Sequence, residues 1–472
     1  MTRIHPLRAR TQKPRLEAIQ GNVLQGYSLE LRVAAYVWLR FRDAAAGRRW
    51  LELLDVTSAA PWDDKPAATR NVALTADGLR ALEVAPELLR TFSDEFLAGM
   101  RARAVRPLGD TGPSAPETWP HPFDGAPLHA LLTLYARDER TLDELIADAP
   151  ADGVEIVDVT RAGTLSPQDG DPTREHFGFT DGFSQPSFRN VTYKQKQPRG
   201  NGVPLRFGRW RRLALGELVL GYVDEDRVYP EMPGGALGPN STYMVWRRLR
   251  QDVAAFRAWT LGAAEGDPVA AEKVRAQVVG RWADGTPLLG HPDGPDRDVS
   301  LDPERRNAVR YRPDPHGSAC PLGAHVRRSN PRDGLPFGHK LTFRHRIVRR
   351  GMPYGPELGR DPTPEEQETD RGLVFVCFNA NISRQYEVVQ GEWLSDGRSF
   401  DLGHDRDPLT GGPQDDGKFV LQGRPAQNGK PATPPKLLSP LPRFVWTRGG
   451  EYLWVPSIPA LSALGAGTEA SA

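Results

Sequence analysis

Apolar positions along the first third of the chain follow two periods. Alternating or unbroken β-branched and aromatic runs at Ala34–Phe41, Asn71–Thr75, Leu128–Tyr135 and Val154–Val159 predict strands. Spacings of three and four residues over Ala46–Leu54, Pro86–Ala104 and Asp138–Ala149 predict helices between them. Thr75-Ala76-Asp77 offers a helix N-cap directly after a strand. The order β-α-β(α)-β-α-β is that of a split βαβ, ferredoxin-like unit. The second half repeats it. Strands are predicted over Glu217–Val223, Ser241–Arg247, Lys340–Arg349 and Gly372–Asn379, and helices over Gln251–Leu261, Pro268–Trp282 and Ser383–Leu394. Arg443–Val455 reads as a hairpin turning at Gly449-Gly450, and Ser399–Lys436 as irregular chain. The pattern predicts an α+β protein of two ferredoxin-like halves, residues 1–215 and 216–472. Each is expected to be an antiparallel sheet with flanking helices and long loop insertions.

Composition narrows the partners. Lys+Arg number 61 against 60 Asp+Glu, so no global field points to nucleic acid or an anionic membrane. The basic stretch Tyr193–Arg212 has no motif behind it and reads as a solvated surface loop. Only two cysteines occur, Cys320 and Cys377, outside any CxxC pair. That argues against a disulfide framework, an iron–sulfur cluster and a CxxCH haem attachment. Met1–Arg15 is basic and polar with no apolar stretch behind it, and no apolar run is long enough to span a bilayer. A cytoplasmic protein with no nucleic-acid or membrane partner is expected, as a monomer or a homo-oligomer.

Three segments carry candidate chemistry. His176–Phe188 holds one carboxylate, Asp181, between Gly178 and Gly182 and among Phe177, Phe179, Phe183 and Phe188. Flanking glycines suit a tight loop of unusual dihedrals, and a carboxylate against aromatic walls is costly unless something pairs with it or uses it. The ordinary alternative is a turn aspartate bonded to its own backbone. Cys320–Arg332 places His325 behind Gly323-Ala324 and ahead of Arg327, Arg328 and Arg332. One imidazole, small neighbours and convergent cations are what a haem needs: an axial nitrogen, room for a flat macrocycle and partners for two propionates. A buried structural histidine beside an ion-pair cluster is the competing reading. The third segment, Arg344–Glu357, alternates charged and apolar residues, so Arg344 and Arg346 would share one side of a regular strand, while the strand-end Arg349 could join them or point into a pocket.

Gly178-Phe-Thr-Asp-Gly182 followed by Ser184-Gln185-Pro186 resembles the GxxDG signature of dye-decolorizing peroxidases. Cys320-Pro-x-x-Ala-His325-x-Arg-x-x-Asn-Pro-Arg332 is similar to that family's proximal-histidine motif, and Ile347–Gly355 to its distal-arginine segment. Gln20–Gly26 and Leu373–Phe378 also match, so the resemblance spans nearly the whole chain, and the length is similar to the larger, non-exported subfamilies. It implies one haem b per chain, with His325 as axial iron ligand, Asp181 as distal acid/base and Arg349 as its partner. Leu373 and Phe375 would shape the distal cavity. Phe179, Gly182, Arg327 and Arg349 join the implied haem-binding residues, and Tyr354 falls where some members expose an aromatic for long-range electron transfer. Gly351 stands where some subfamilies have a distal asparagine. Asp407 and Glu387 are both candidates to accept from the proximal imidazole.

The chemistry can also be argued without the resemblance. Breaking a peroxide O–O bond heterolytically needs a group that takes a proton from one oxygen and gives it to the other, which one carboxylate can do. A neighbouring arginine stabilises the charge on the departing oxygen and keeps the carboxylate ionised. Aspartate titrates near ~3.9 against ~6.5 for histidine, so an aspartate shuttle implies an acidic optimum. The expected activity is reduction of hydrogen peroxide coupled to one-electron oxidation of an aromatic, dye or phenolic reductant. The alternatives are a non-catalytic haem carrier or sensor using the same pocket, and a ferredoxin-like binding module with no cofactor.

Overall fold

The computed structural model describes residues 13–27, 30–165, 173–191, 211–336, 338–412, 417–424, 426 and 432–469. The strands are β1 Val33–Phe41, β2 Ala68–Leu74, β3 Ala130–Ala136, β4 Val154–Gly163, β5 Thr242–Gln251, β6 Val348–Arg349, β7 Met352–Tyr354, β8 Gly372–Asn379, β9 Phe419–Leu421, β10 Lys436–Leu438 and β11 Val445–Val455. All but β9 and β10 join one antiparallel sheet, ordered β4-β1-β3-β2-β11-β5-β8-β6, with β7 also on β8. Each half of this order is the ferredoxin-like arrangement in which the first strand lies between the fourth and third, so the predicted fold class is the one found. Within the sheet ladder of the described residues, the two halves pair at Leu74 opposite Trp454.

The strand signals were strong because both faces of the sheet are covered. In β1, Ala34 through Leu39 are all fully buried, and β3 is buried throughout. Continuous apolar runs are what such strands require. Trp38 of β1 packs edge-on against Trp246 of β5 at 5.3 Å, tying the two halves into one core. Helices α1 Ala44–Leu53, α2 Asp94–Arg103, α3 Glu139–Ala147, α4 Val253–Ala263, α5 Pro268–Val279, α6 His325–Ser329 and α7 Ile458–Ala466 flank it. Asp43, Ser93, Asp138, Asp252, Asp267 and Ser457 cap α1 to α5 and α7 by accepting from backbone N–H groups of the first turn. Thr75 accepts from Gly78, as its N-cap role required. Ser383–Leu394 is a π-helix. Among the described residues, no helix is long and apolar enough to cross a membrane.

Four local expectations are corrected. Glu217–Val223 is not a strand; a 3-10 turn at Leu215–Glu217 leads into bends, and Leu218, Val219 and Leu220 are apolar because they enter the core. Lys340–Arg349 begins instead as a short helix, His339–Phe343, and only Val348-Arg349 pairs with β8. Gly449-Gly450 makes no turn: β11 runs straight through with a bulge between Thr447 and Gly449. The glycines are there for close approach, since a Cβ would meet the Phe123 ring at 2.1 Å or Met100 Sδ at 2.4 Å. Within Ser399–Lys436, β9 pairs with β10. The basic stretch 193–212 lies outside the described residues except for Arg211 and Arg212.

Candidate active site

The loop after Thr173 is shaped by glycine. Gly178 and Gly182 adopt φ of +94° and +84°, a region that disfavours any side chain, and so turn the chain on both sides of Asp181. Glu175 holds the loop from within, accepting from Phe177 N at 2.9 Å, Phe179 N at 3.0 Å and Gln251 Nε2 at 2.8 Å. Burial raises the Glu175 carboxyl above its usual value. Asp181 N donates to Thr173 O at 3.0 Å, and its side chain faces a cavity enclosing about 1620 Å³ between side chains, its mouth included.

β6 brings Arg349 to the same cavity. Its Nη1 lies 3.5 Å from Asp181 Oδ1, and its Nη2 donates to Phe183 O at 2.9 Å. Gln185 fixes the Arg349 backbone on both sides: its Oε1 accepts from Arg349 N and its Nε2 donates to Arg349 O, each at 3.1 Å. Leu373 and Phe375, on the facing side of β8, complete this wall with Phe177, Phe179 and Phe183.

His325 enters from the first position of α6. Its Nδ1 lies 3.1 Å from both carboxylate oxygens of Asp407, whose side chain is 0% exposed. Leu409 N, Thr410 N and Thr410 Oγ1 also donate to Asp407 Oδ1, at 3.0, 2.7 and 3.2 Å. Burial alone would raise the Asp407 carboxyl, but His325, Arg328 and the Thr410 amide outweigh it and hold it below the ordinary range. With Nδ1 committed, the Nε2 side of the ring is left for the cavity that His325 lines. Glu387, the other candidate, is paired instead with Arg103, Nη2 to Oε2 at 2.6 Å.

The arginines that follow His325 do something else than expected. Arg327 does not line the cavity; it is buried under Tyr311 and bonded to Asp314 Oδ2 at 2.9 Å and to the Cys320 carbonyl. Two residues along a helix point to different sides, which is why it turns away from His325. Arg328 donates to the carbonyls of Trp393, Leu394 and Asp405, and Arg332 to those of Asn307 and Val309. Gly182 shapes the loop but does not line the cavity. Arg344 pairs with Asp226 at the surface, away from Arg346 and Arg349. Tyr354 is 4% exposed, so it presents no ring to solvent, and it lies off the cavity wall.

Two further cations line the cavity: Arg346, from the alternating run of the third segment, and Arg281, which no motif marked. Arg281 donates to Gly285 O and Arg306 O, and Arg346 to Ser184 O; neither has a carboxylate partner among the described residues. Burial, then the nearby Arg332, lowers them to about 10 and about 9. Charges so buried call for an anion. A slot with apolar faces, a free imidazole nitrogen and an anion-hungry edge fits a haem: a flat apolar ring, an iron and two carboxylates.

Comparisons with known proteins agree. Residues 233–412 match the family model for Dyp-type peroxidase, C-terminal. The chain is 29% identical to the multifunctional dye peroxidase DyP2 of Amycolatopsis sp., over 95% of this chain and 96% of that one. It is 28% identical to Peroxidase 2 of Mycetinis scorodonius, over 94% and 86%. Among solved structures, an ancestral D-type dye-decolorizing peroxidase superposes with a TM-score of 0.76 at 27% identity, covering 95% of this chain and 99% of that one. A dye-decolorizing peroxidase in complex with 2,6-dimethoxyphenol also gives 0.76, at 26% identity over 96% and 100%. Similar over nearly its whole length to dye-decolorizing peroxidases, the chain is a haem-dependent peroxidase, an oxidoreductase.

Proposed function

We propose that this peroxidase holds one haem b per chain, reduces hydrogen peroxide and oxidises dyes and phenols in one-electron steps. One observation carries the reading: a single cavity is lined by the Asp181–Arg349 pair and by His325, which Asp407 backs from outside it. His325 Nε2 would hold the iron, with Asp407 fixing the ring's tautomer through Nδ1. Arg281 and Arg346 would hold the propionates, and Phe179, Leu373 and Phe375 would cover the faces of the ring. Haem supplies, when bound, the electrons that cleave the peroxide bond.

The chain's own residues move the proton. Asp181 takes it from the peroxide oxygen nearer the cavity floor and returns it to the oxygen that leaves as water. Arg349 stands beside the charge that develops on that leaving oxygen, and its bond to Phe183 O keeps it there. The aromatic wall keeps bulky dyes from the reacting centre, so they are oxidised at an edge of the ring or at the protein surface. We place the division between the two halves at 215/216, before β5 begins.

Haem-loaded Asp181→Ala tests the reading. Its absorption spectrum should stay that of the parent while its reaction with peroxide slows on the order of 10²-fold or more. Peroxide turnover at the parent's rate would make Asp181 incidental and favour a haem carrier or sensor.

A further inference from the structure

The cavity wall holds a tyrosine that the proton chemistry leaves unused. Tyr386, on the π-helix, lines the cavity 6.1 Å from the Phe375 ring. Its hydroxyl accepts from Arg247 Nη1 at 3.0 Å, and Arg247 is itself paired with Asp110. Behind it the Tyr452 ring lies 6.2 Å away, edge-on and fully buried. Tyr452 Oη donates to Glu387 Oε1 at 2.9 Å. Glu387 in turn meets Arg103, whose side chain is 29% exposed. Two phenols and an ion pair thus form an unbroken line from the cavity towards the surface.

The two tyrosines differ in what surrounds the hydroxyl. Tyr386 faces a guanidinium, which only donates and has no lone pair to take the phenol proton. Tyr452 has a carboxylate in hydrogen-bond contact, ready to accept one. Burial keeps the Tyr452 phenol protonated far above neutral pH, so its oxidation must shed electron and proton together. Tyr354 also donates to a carboxylate, Asp370 Oδ1 at 3.0 Å, but it does not touch the cavity.

We propose that oxidising equivalents leave the cavity through Tyr386 and come to rest on Tyr452, with Glu387 as the proton acceptor. The inference rests on the peroxidase reading above, since peroxide is the oxidant. One electron passes from Tyr452 by way of Tyr386 and cancels one oxidising equivalent that peroxide left in the cavity. The hydroxyl proton moves to Glu387 Oε1 in the same event. The products are a neutral phenoxyl radical and a neutral carboxyl group, and a reductant that returns an electron reverses both changes.

Electron paramagnetic resonance of the haem-loaded protein, frozen soon after one equivalent of hydrogen peroxide with no reductant, tests this. The parent should show a neutral tyrosyl radical. Tyr452→Phe, which keeps the ring and removes only the hydroxyl, should lose that signal; Glu387→Gln should lose it or form it more slowly. Tyr386→Phe should delay it, and Tyr354→Phe should leave it intact. An undiminished tyrosyl signal in Tyr452→Phe, or its loss in Tyr354→Phe, would overturn the relay. Peroxide consumed by the parent without any tyrosyl radical overturns the relay alone. Peroxide not consumed at all overturns the peroxidase reading and the relay with it.

Discussion

Asp181 lines the cavity and Asp407 stands behind its wall, and each meets a basic side chain that lines it, yet they are built differently. Asp407 is sealed from solvent, sits 3.1 Å from Nδ1 of His325 with both oxygens and receives three further bonds on Oδ1. Asp181 is 40% exposed in the open cavity and has a single, longer contact of 3.5 Å to Arg349, also 40% exposed. An oxygen already accepting from several fixed donors has little capacity for a proton that must come and go. One with a single loose partner keeps that capacity. The count of fixed donors therefore separates a carboxylate that holds a neighbour in place from one that handles a proton.

The largest effects should come from the loosely held pair. Beyond Asp181→Ala, Arg349→Leu should slow the reaction with peroxide on the order of 10²- to 10³-fold, the usual cost of losing a charge-stabilising donor. Combining the two should cost much less than the product of the single effects, because both groups serve one proton transfer. Stopped-flow absorbance after peroxide mixing reads all three. A strictly multiplicative double variant would mean that the two side chains act separately, and the contrast with Asp407 would lose its basis.

Asp407→Asn should sharpen the contrast from the other side. An asparagine keeps the shape but not the charge that fixes the His325 ring. Haem affinity or activity should fall roughly 10- to 100-fold, as is usual for a group behind a metal ligand. Haem retention during gel filtration should drop in this variant and stay at the parent's level in Asp181→Ala. Equal retention in both would place Asp407 outside the anchoring of His325.

How much of this could be read from residues alone follows the same division between local and remote. β1, β3 and β8 were legible because burial on both faces leaves an unbroken apolar run, and most helices because an aspartate or serine cap stands where the spacing changes. Asp181, His325 and Arg349 were legible because each carries its motif within a few neighbouring residues. Arg327 misled because nearness in sequence was taken for nearness in space, while on α6 it faces Asp314. Arg346, already marked by the alternating run, takes over the cavity edge together with Arg281, which comes from a separate segment with no local signature. Asp407 could not be chosen over Glu387 because its partner lies 82 residues away. Lys340–Arg349 looked like a strand because its charges alternate, but Arg344 alternates towards solvent and Arg346 towards the cavity.

A third carboxylate extends the contrast to a group with bonds but no counter-charge. Glu451 Oε1 accepts from Met100 N and Tyr452 N, each at 2.8 Å, where α2 is broken at Gly99. Burial, against those two bonds, pushes its carboxyl up to about 7 from an ordinary 4.5. Below pH 4.5 the group is protonated both folded and unfolded, and it contributes nothing to pH dependence. Between 4.5 and about 7 the folded chain holds a proton that the unfolded chain has released, so each step up in pH costs stability. The total loss is at most about 3 kcal/mol, complete above pH 7. Glu451→Gln keeps an acceptor for both N–H groups and cannot ionise. Urea midpoints of the variant should therefore fall less steeply across this window than those of the parent, with peroxide turnover unchanged, the remaining slope belonging to Glu217, which burial also pushes up to about 7. Parallel midpoint curves would mean that Glu451 is ionised in the folded chain at acid pH, and that two backbone donors can replace a counter-charge after all.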